Sequence, residues 1–166
     1  METAAVLSLL GFFAANFATA SSGAFFKPGA WYQALAKPGW TPPNWAFPVV
    51  WTTLFCLIAV SGWRVWQAQG GWSPALTVYA VHLGLNASWS AIFFGLRRIG
   101  LALVELVVFW SSILTMMVMF YPIDPLATWL LAPYLLWVTI AGFLNYSIWR
   151  LNAGLVARSS PDPRRA

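Results

Sequence analysis

Apolar runs without a single charge set the plan of this chain, and their lengths match the roughly 20 residues a helix needs to cross a hydrocarbon layer of about 30 Å. Five such stretches predict five membrane-spanning helices, at about 3–26, 44–66, 74–96, 100–121 and 125–150. Helices, not strands, fit these lengths. Local signals sharpen the edges. Ser73-Pro74 and Asp124-Pro125 each put a capping side chain before a proline at the first helical position, and Pro122 closes the fourth stretch.

The segment from Lys27 to Trp45 is the one long connection, rich in Pro, Trp and Lys, and is expected to pack as a lid. The other connections are short, so successive helices are expected to be antiparallel neighbours in one bundle. Residues 1–152 therefore read as a single transmembrane domain and 153–166 as a polar, disordered tail. The first stretch has Glu2 where a secretory signal has basic residues, and it is long for such a signal, which predicts a retained span.

Composition agrees with the pattern. The chain is 60% hydrophobic, 17% aromatic and only 8% charged, too few charges to cover a water-soluble surface. Nine Lys and Arg against four Asp and Glu leave a net charge of +5. These cations sit singly or in pairs between apolar runs, which marks topology rather than a nucleic-acid surface. Lys27, Lys37, Arg97, Arg98, Arg150, Arg158, Arg164 and Arg165 fall on one side and Arg64 on the other. The positive-inside rule then puts the first loop and the C-terminus in the cytoplasm and the N-terminus outside. Tryptophans near span ends, among them Trp31, Trp45, Trp72, Trp129 and Trp149, suit anchoring at the headgroup level.

Catalytic and metal-binding signatures are missing: there is no phosphate loop, nucleophile elbow, paired carboxylates or His/Cys cluster, and Cys56 is alone. His82 reads as a hydrogen-bonded packing residue, and Glu105 as a carboxylate stabilised by a helix dipole and the Arg97-Arg98 pair. Helical spacing is more informative. Asn86, Trp89 and Phe93 share one face of the third span, with Ala80, Gly84 and Ser88 as a small-residue strip opposite. That strip admits a close helix, either within the chain or from a second copy in a homodimer. Trp137, Ala141 and Asn145 share a face of the fifth span, and Trp51 and Phe55 lie one turn apart on the second. Two uses fit these faces: an aromatic cavity for a flat hydrophobic ligand, or tight packing with Asn86 and Asn145 as interhelical glue. Leu144, Tyr146 and Arg150 satisfy a loose sterol-contact pattern, which interfacial anchoring explains equally well.

The run Trp40-Thr41-Pro42-Pro43-Asn44-Trp45-Ala46-Phe47-Pro48 and the following Val49-Val50-Trp51-Thr52-Thr53-Leu54 resemble the TspO/MBR family, also called translocator protein, tryptophan-rich sensory protein or peripheral benzodiazepine receptor. So do Asn86 through Gly95, Pro133-Tyr134-Leu135-Leu136-Trp137, Leu144-Asn145-Tyr146 and Trp149-Arg150-Leu151-Asn152. The resemblance covers nearly the whole chain except the tail. It implies a five-helix, usually dimeric protein with a cavity beneath the first loop for porphyrins such as protoporphyrin IX. Animal members also bind cholesterol, and bacterial members resemble sensors of tetrapyrrole metabolism and stress, so a bacterial membrane is the expected setting.

By motif, Trp51 and Trp137 match paired tryptophans associated with light-dependent porphyrin breakdown in some members. Ala141 and Asn145 match the cavity face of the fifth helix, and Asn86 and Trp89 the third-helix wall; Phe55, Phe93 and Leu144 complete the expected ligand set. Phe55 stands where many members have Tyr, and Leu101 where animal members carry Trp. The expectation is thus a porphyrin receptor or sensor, with porphyrin as ligand and no required cofactor. A photochemical degrader and a porphyrin or sterol transporter are the alternatives. Lys27 and Lys37 are expected to contact porphyrin carboxylates.

Overall fold

A computed structural model describes residues 2–154, and these are helical with short connections and no strand. The helices are α1 (Glu2–Phe25), α2 (Ala30–Ala34), α3 (Ala46–Gln69), α4 (Pro74–Ser90), α5 (Ile99–Phe120), α6 (Pro125–Leu130) and α7 (Ala132–Leu151). Four stretches are long and apolar enough to cross a membrane: Glu2–Phe25, Ala46–Gln69, Ile99–Phe120 and Pro125–Leu151. The remaining long helix, α4, continues through a π-helical turn, Ala91–Gly95. The predicted tail from residue 155 onward lies outside the described residues.

Element boundaries follow backbone chemistry. Gly70 takes φ +69° at the end of α3, a left-handed conformation that costs glycine least, and its N–H returns to the Gln67 carbonyl. Asp124 caps α6, its Oδ1 accepting from the N–H groups of Leu126 at 2.9 Å and Ala127 at 3.1 Å. Ser73, expected to cap α4 in the same way, makes no side-chain cap bond; its carbonyl accepts from Leu76 and Thr77 instead.

The stretch expected as one helix over 125–150 breaks at Leu131. Pro133 has no N–H to give the carbonyl four residues back, and the Leu131 N–H closes on Thr128 at 3.0 Å. The second helix starts at Ala46 and runs to Gln69, two residues later and three further than expected.

Two clusters form the core. The larger includes Ile58, Val65, Leu76, Tyr79, Ile113, Met116, Phe120 and Tyr134. The smaller gathers Tyr32 and Leu35 of the loop with Phe93, Ile99, Ala102, Leu144 and Ile148. Large apolar side chains such as Leu7, Val81, Val107, Val118 and Phe143 point outward and exposed, as expected where lipid is the solvent. Close helix approach is built in at Gly62, where an added Cβ would lie 2.6 Å from the Tyr79 ring.

The loop lies across one end of the bundle. Trp31 and Tyr32 of α2 meet Phe93 edge-on at 6.0 and 6.1 Å. Lys27, Arg97 and Trp31 line one cavity there, and Asn152 at the end of α7 bonds to Ala36 of the loop. The expected lid is thus seated on the bundle. Arg64 is remote from this end and pairs with Asp124 at 2.8 Å.

Candidate functional site

The aromatic residues singled out by helical spacing pack in or against the two clusters. Trp89, at the end of α4, stacks on Phe93 at 5.0 Å and packs against both clusters. Phe93 lies beyond Ser90, in the π turn, and is nearly inaccessible at 2%. Trp51 and Phe55 pair at 5.5 Å on α3, and the Trp51 ring meets Tyr134 of α7 edge-on at 6.1 Å. Phe47, which packs on the smaller cluster, meets Trp137 of the larger at 5.9 Å. Trp89 and the Phe47–Trp137 contact therefore bridge the two halves of the core.

Polar groups in this region divide into the satisfied and the unsatisfied. Asn86 donates to the Tyr134 hydroxyl at 2.7 Å, and that hydroxyl lies 3.0 Å from His82 Nε2. His82 Nδ1 is 2.8 Å from the Ser112 hydroxyl, and the ring stacks on Phe109 at 5.2 Å. His82 is thereby the hydrogen-bonded packing residue expected. Asn145 donates to the Ile99 carbonyl at 3.0 Å. Both asparagines thus tie helices together. In contrast, the indole N–H groups of Trp89 and Trp137 and the Asn145 Oδ1 are buried without a hydrogen-bond partner. A buried polar group left without a partner costs about 1–3 kcal/mol, so these two donors and one acceptor call for an explanation.

Other expected residues are placed differently. Leu144 is buried in the smaller cluster beneath the loop. Tyr146 is exposed, and the Arg150 guanidinium reaches its hydroxyl at 3.4 Å on the outer surface of α7. Ala141 is half-buried against the larger cluster. Ala80 and Gly84 face outward and an added Cβ at Gly84 would touch nothing, whereas Ser88 is half-buried and donates to Glu105 at 3.0 Å.

Glu105 is therefore held by the Ser88 hydroxyl. The expected ionic support from Arg97 and Arg98 is absent, since the one ion pair among the described residues is Arg64–Asp124. Lys37 does not reach toward the aromatic site either: its ammonium donates to the Gln33 and Leu35 carbonyls at 3.2 and 3.1 Å and lies 4.6 Å from the Tyr32 ring. Burial raises the Tyr32 hydroxyl above the usual tyrosine value.

Between α3 and α7 an apolar groove of about 270 Å³ opens sideways, lined by residues that include Val50, Leu54, Pro133, Leu136 and Trp137. Trp137 thus stands between this groove and Phe47.

The sequence pattern of the TspO/MBR family matches residues 4–150, across every helix described above. The chain belongs to the TspO/MBR family. It is 43% identical over 146 residues to protein CrtK of Rhodobacter capsulatus, covering 86% of this chain and 91% of that one. It is 42% identical to the tryptophan-rich sensory protein of Cereibacter sphaeroides, over 86% of this chain and 90% of that protein. Human translocator protein is 40% identical over 75% of this chain and 76% of its own.

As a TspO/MBR protein the chain is an integral membrane protein. Several functional candidates were reachable only through the structure. Phe47 was legible as part of the Trp40–Pro48 motif but not as the partner of Trp137. Tyr134 and Tyr32 stood in the right segments without any spacing signal to single them out. The Asn152 link to the loop joins positions 116 apart, beyond the reach of local periodicity.

Proposed function

We propose that this TspO/MBR protein is a membrane receptor or sensor that binds a planar hydrophobic molecule, with a porphyrin such as protoporphyrin IX as the leading ligand. The observation that supports this reading is the pair of half-buried, bridging indoles whose N–H groups are themselves buried and lack partners, as does the buried Asn145 Oδ1. A flat aromatic ligand inserted between the clusters would stack on rings and offer acceptors to the two donors. The sensory name of the Cereibacter sphaeroides relative points the same way.

In this reading α4 and its π turn form the third of five spans. The loop end, with Lys27, Lys37, Arg97, Arg98 and Arg150, faces the cytoplasm of a bacterial cell, and the outward Ala80 and Gly84 admit a second copy in a homodimer. No cofactor is required. Lipid surrounds the chain, and the Tyr146–Arg150 surface is the place for a sterol.

The test is a dark titration of the purified protein with protoporphyrin IX, followed by tryptophan quenching, with Trp51→Phe, Trp137→Phe and Ala141→Leu beside the wild type. Ala141→Leu adds bulk to a half-buried position facing the cluster and is expected to weaken binding about tenfold. Identical curves for all four proteins would place the ligand elsewhere and reject the reading.

A second reading, light-dependent porphyrin degradation, is favoured by the edge contact of Trp51 with Tyr134 and the bridging place of Trp137. Indole would give an electron to the photoexcited pigment, with dioxygen as the terminal oxidant. Illumination separates the two: a receptor leaves the pigment spectrum unchanged, whereas a degrader bleaches it in air and not under argon. Transport is separated by flux of pigment into sealed vesicles.

A further inference from the structure

A second cavity, of about 310 Å³, lies at the loop end outside the aromatic site. Its lining is Lys27 and Gly29 after α1, Ala30 and Trp31 of α2, Phe94 of the π turn and Arg97 just beyond it. Two of these six are cations, and no carboxylate among the described residues meets either one. Asp124 is taken by Arg64, Glu105 accepts from Ser88, and Glu2 opens α1 at the helix end opposite Lys27. Lys37 is occupied by backbone carbonyls and is not part of this cavity. The cavity therefore concentrates uncompensated positive charge.

Arg97 is held in a conformation its side chain disfavours. With φ at 57° it is the one non-glycine residue among those described in the left-handed region. Flanking bonds fix the turn: Leu96 N–H reaches Ala91 O at 2.8 Å, and Arg98 N–H reaches Ile92 O at 3.1 Å. A glycine would serve the turn with less strain. The arginine instead sets its guanidinium over the Trp31 ring, 6.0 Å from the centroid. Strain of this kind persists where the side chain is needed.

Exposed apolar side chains lie close along the chain to both cations. Phe25 and Leu96, at the ends of α1 and of the π segment, are 82% and 64% exposed. Cations at the end of a span with apolar side chains beside them match an amphiphile whose oxyanion sits at headgroup level and whose tail descends along the helices.

We propose that Lys27 and Arg97 bind the phosphate of an anionic membrane phospholipid, with Trp31 and Phe94 flanking the headgroup. The guanidinium offers a planar fork to two phosphate oxygens and the ammonium a point charge. This site does not require the porphyrin reading, although its Trp31 also meets Phe93 edge-on at 6.0 Å, and because it joins the α1 exit, α2 and the π turn, its occupant would brace the loop from outside.

The experiment uses the full chain in phosphatidylcholine vesicles with a rising fraction of brominated phosphatidylglycerol, compared with equal fractions of brominated phosphatidylcholine. Trp31 emission is read as the difference between wild type and Trp31→Phe. The expected result is saturable quenching at least twofold greater with the anionic lipid, lost in Lys27→Gln/Arg97→Gln and retained in Arg98→Gln, which removes the same charge one residue on. Arg97→Gly suits the left-handed turn, so it is expected to keep the thermal unfolding temperature while losing the excess quenching. Equal quenching by both lipids, or an equal loss in Arg98→Gln, would reduce the cavity to a generally basic surface and overturn the proposal. Displacement of the effect by inorganic phosphate would assign the site to a free anion and overturn the lipid assignment.

Discussion

The side chain of Asn152 clasps the backbone of Ala36, donating from Nδ2 to its carbonyl at 2.9 Å and accepting its N–H on Oδ1 at 3.0 Å. A third bond, to the Ile148 carbonyl at 2.7 Å, holds the amide on the last turn of α7. One side chain thus satisfies the loop's backbone in the manner of a strand partner. Asn152→Ala is expected to cost about 1–3 kcal/mol, since the Ala36 groups lose their partner. Hydrogen exchange at the Ala36 amide should accelerate at least tenfold while amides in the middle of α5 are unchanged. Uniform acceleration would show that Asn152 supports the whole bundle rather than the loop.

Gly62 and Gly84 predict opposite outcomes for the same substitution. A methyl group at Gly62 would lie 2.6 and 2.8 Å from Tyr79 ring atoms and 2.9 Å from Phe12, forcing α1, α3 and α4 apart. Gly62→Ala is expected to lower stability by about 1–3 kcal/mol. At Gly84 the methyl meets nothing, so Gly84→Ala should be neutral or stabilising by up to about 1 kcal/mol in the monomer. Thermal unfolding in detergent reads both. If Gly84→Leu converts dimers to monomers on a sizing column without lowering the monomer's melting temperature, α4 is the dimer face.

Asp124 predicts an acid limb of stability. Partial burial pushes its carboxyl up, but the Ala127 and Leu126 N–H groups and the Arg64 guanidinium outweigh that and hold it below the usual carboxylate value. A depressed folded value means the stabilisation is complete above the unfolded value of about 3.9 and is lost as pH falls through the folded one. Asp124→Asn keeps a capping oxygen but loses the ion pair and the charge on the cap, and should cost about 1 kcal/mol at neutral pH. The variant and wild-type melting temperatures should converge below about pH 3; a constant gap across pH would mean the charge is irrelevant.

Tyr134→Phe removes one hydroxyl that serves two buried partners, Asn86 Nδ2 and His82 Nε2. Leaving both without that partner is expected to cost about 2–4 kcal/mol, more than the loss of one ordinary hydrogen bond. Urea or thermal unfolding of Tyr134→Phe and Asn86→Ala, alone and combined, measures the coupling. Additive losses would show that the groups do not form one network.

Much of the architecture was legible because lipid imposes a coarse rule: a charge-free run of sufficient length must be helical. That rule located α1 and α5 closely. It did not place the break at Leu131, since hydropathy ignores the missing N–H of Pro133, nor the π turn after Ser90, which shifts the faces beyond Trp89 out of a simple helical wheel. The aromatic candidates Trp51, Phe55, Trp89, Phe93 and Trp137 do pack in or against the core, because burial in a bundle follows spacing, but they divide between its two clusters, with Trp89 against both. Glu105 was misread because charge proximity along the chain is not proximity in space: a hydroxyl from a neighbouring helix reached it first. The bonding of the Lys37 ammonium to the carbonyls of Gln33 and Leu35 in its own loop was likewise beyond the reach of helical spacing.

The separation of Arg64–Asp124 from the basic end also divides the charge unevenly between the two ends of the bundle. The ion pair leaves its own end nearly neutral, while Lys27, Lys37, Arg97, Arg98 and Arg150 gather at the other. A membrane potential contributes about 2.3 kcal/mol per elementary charge per 100 mV. Five cations transferred against a potential of that size would cost on the order of 10 kcal/mol. In the proposed orientation, with the loop end in the cytoplasm, a membrane potential negative on that side would hold the bundle against inversion.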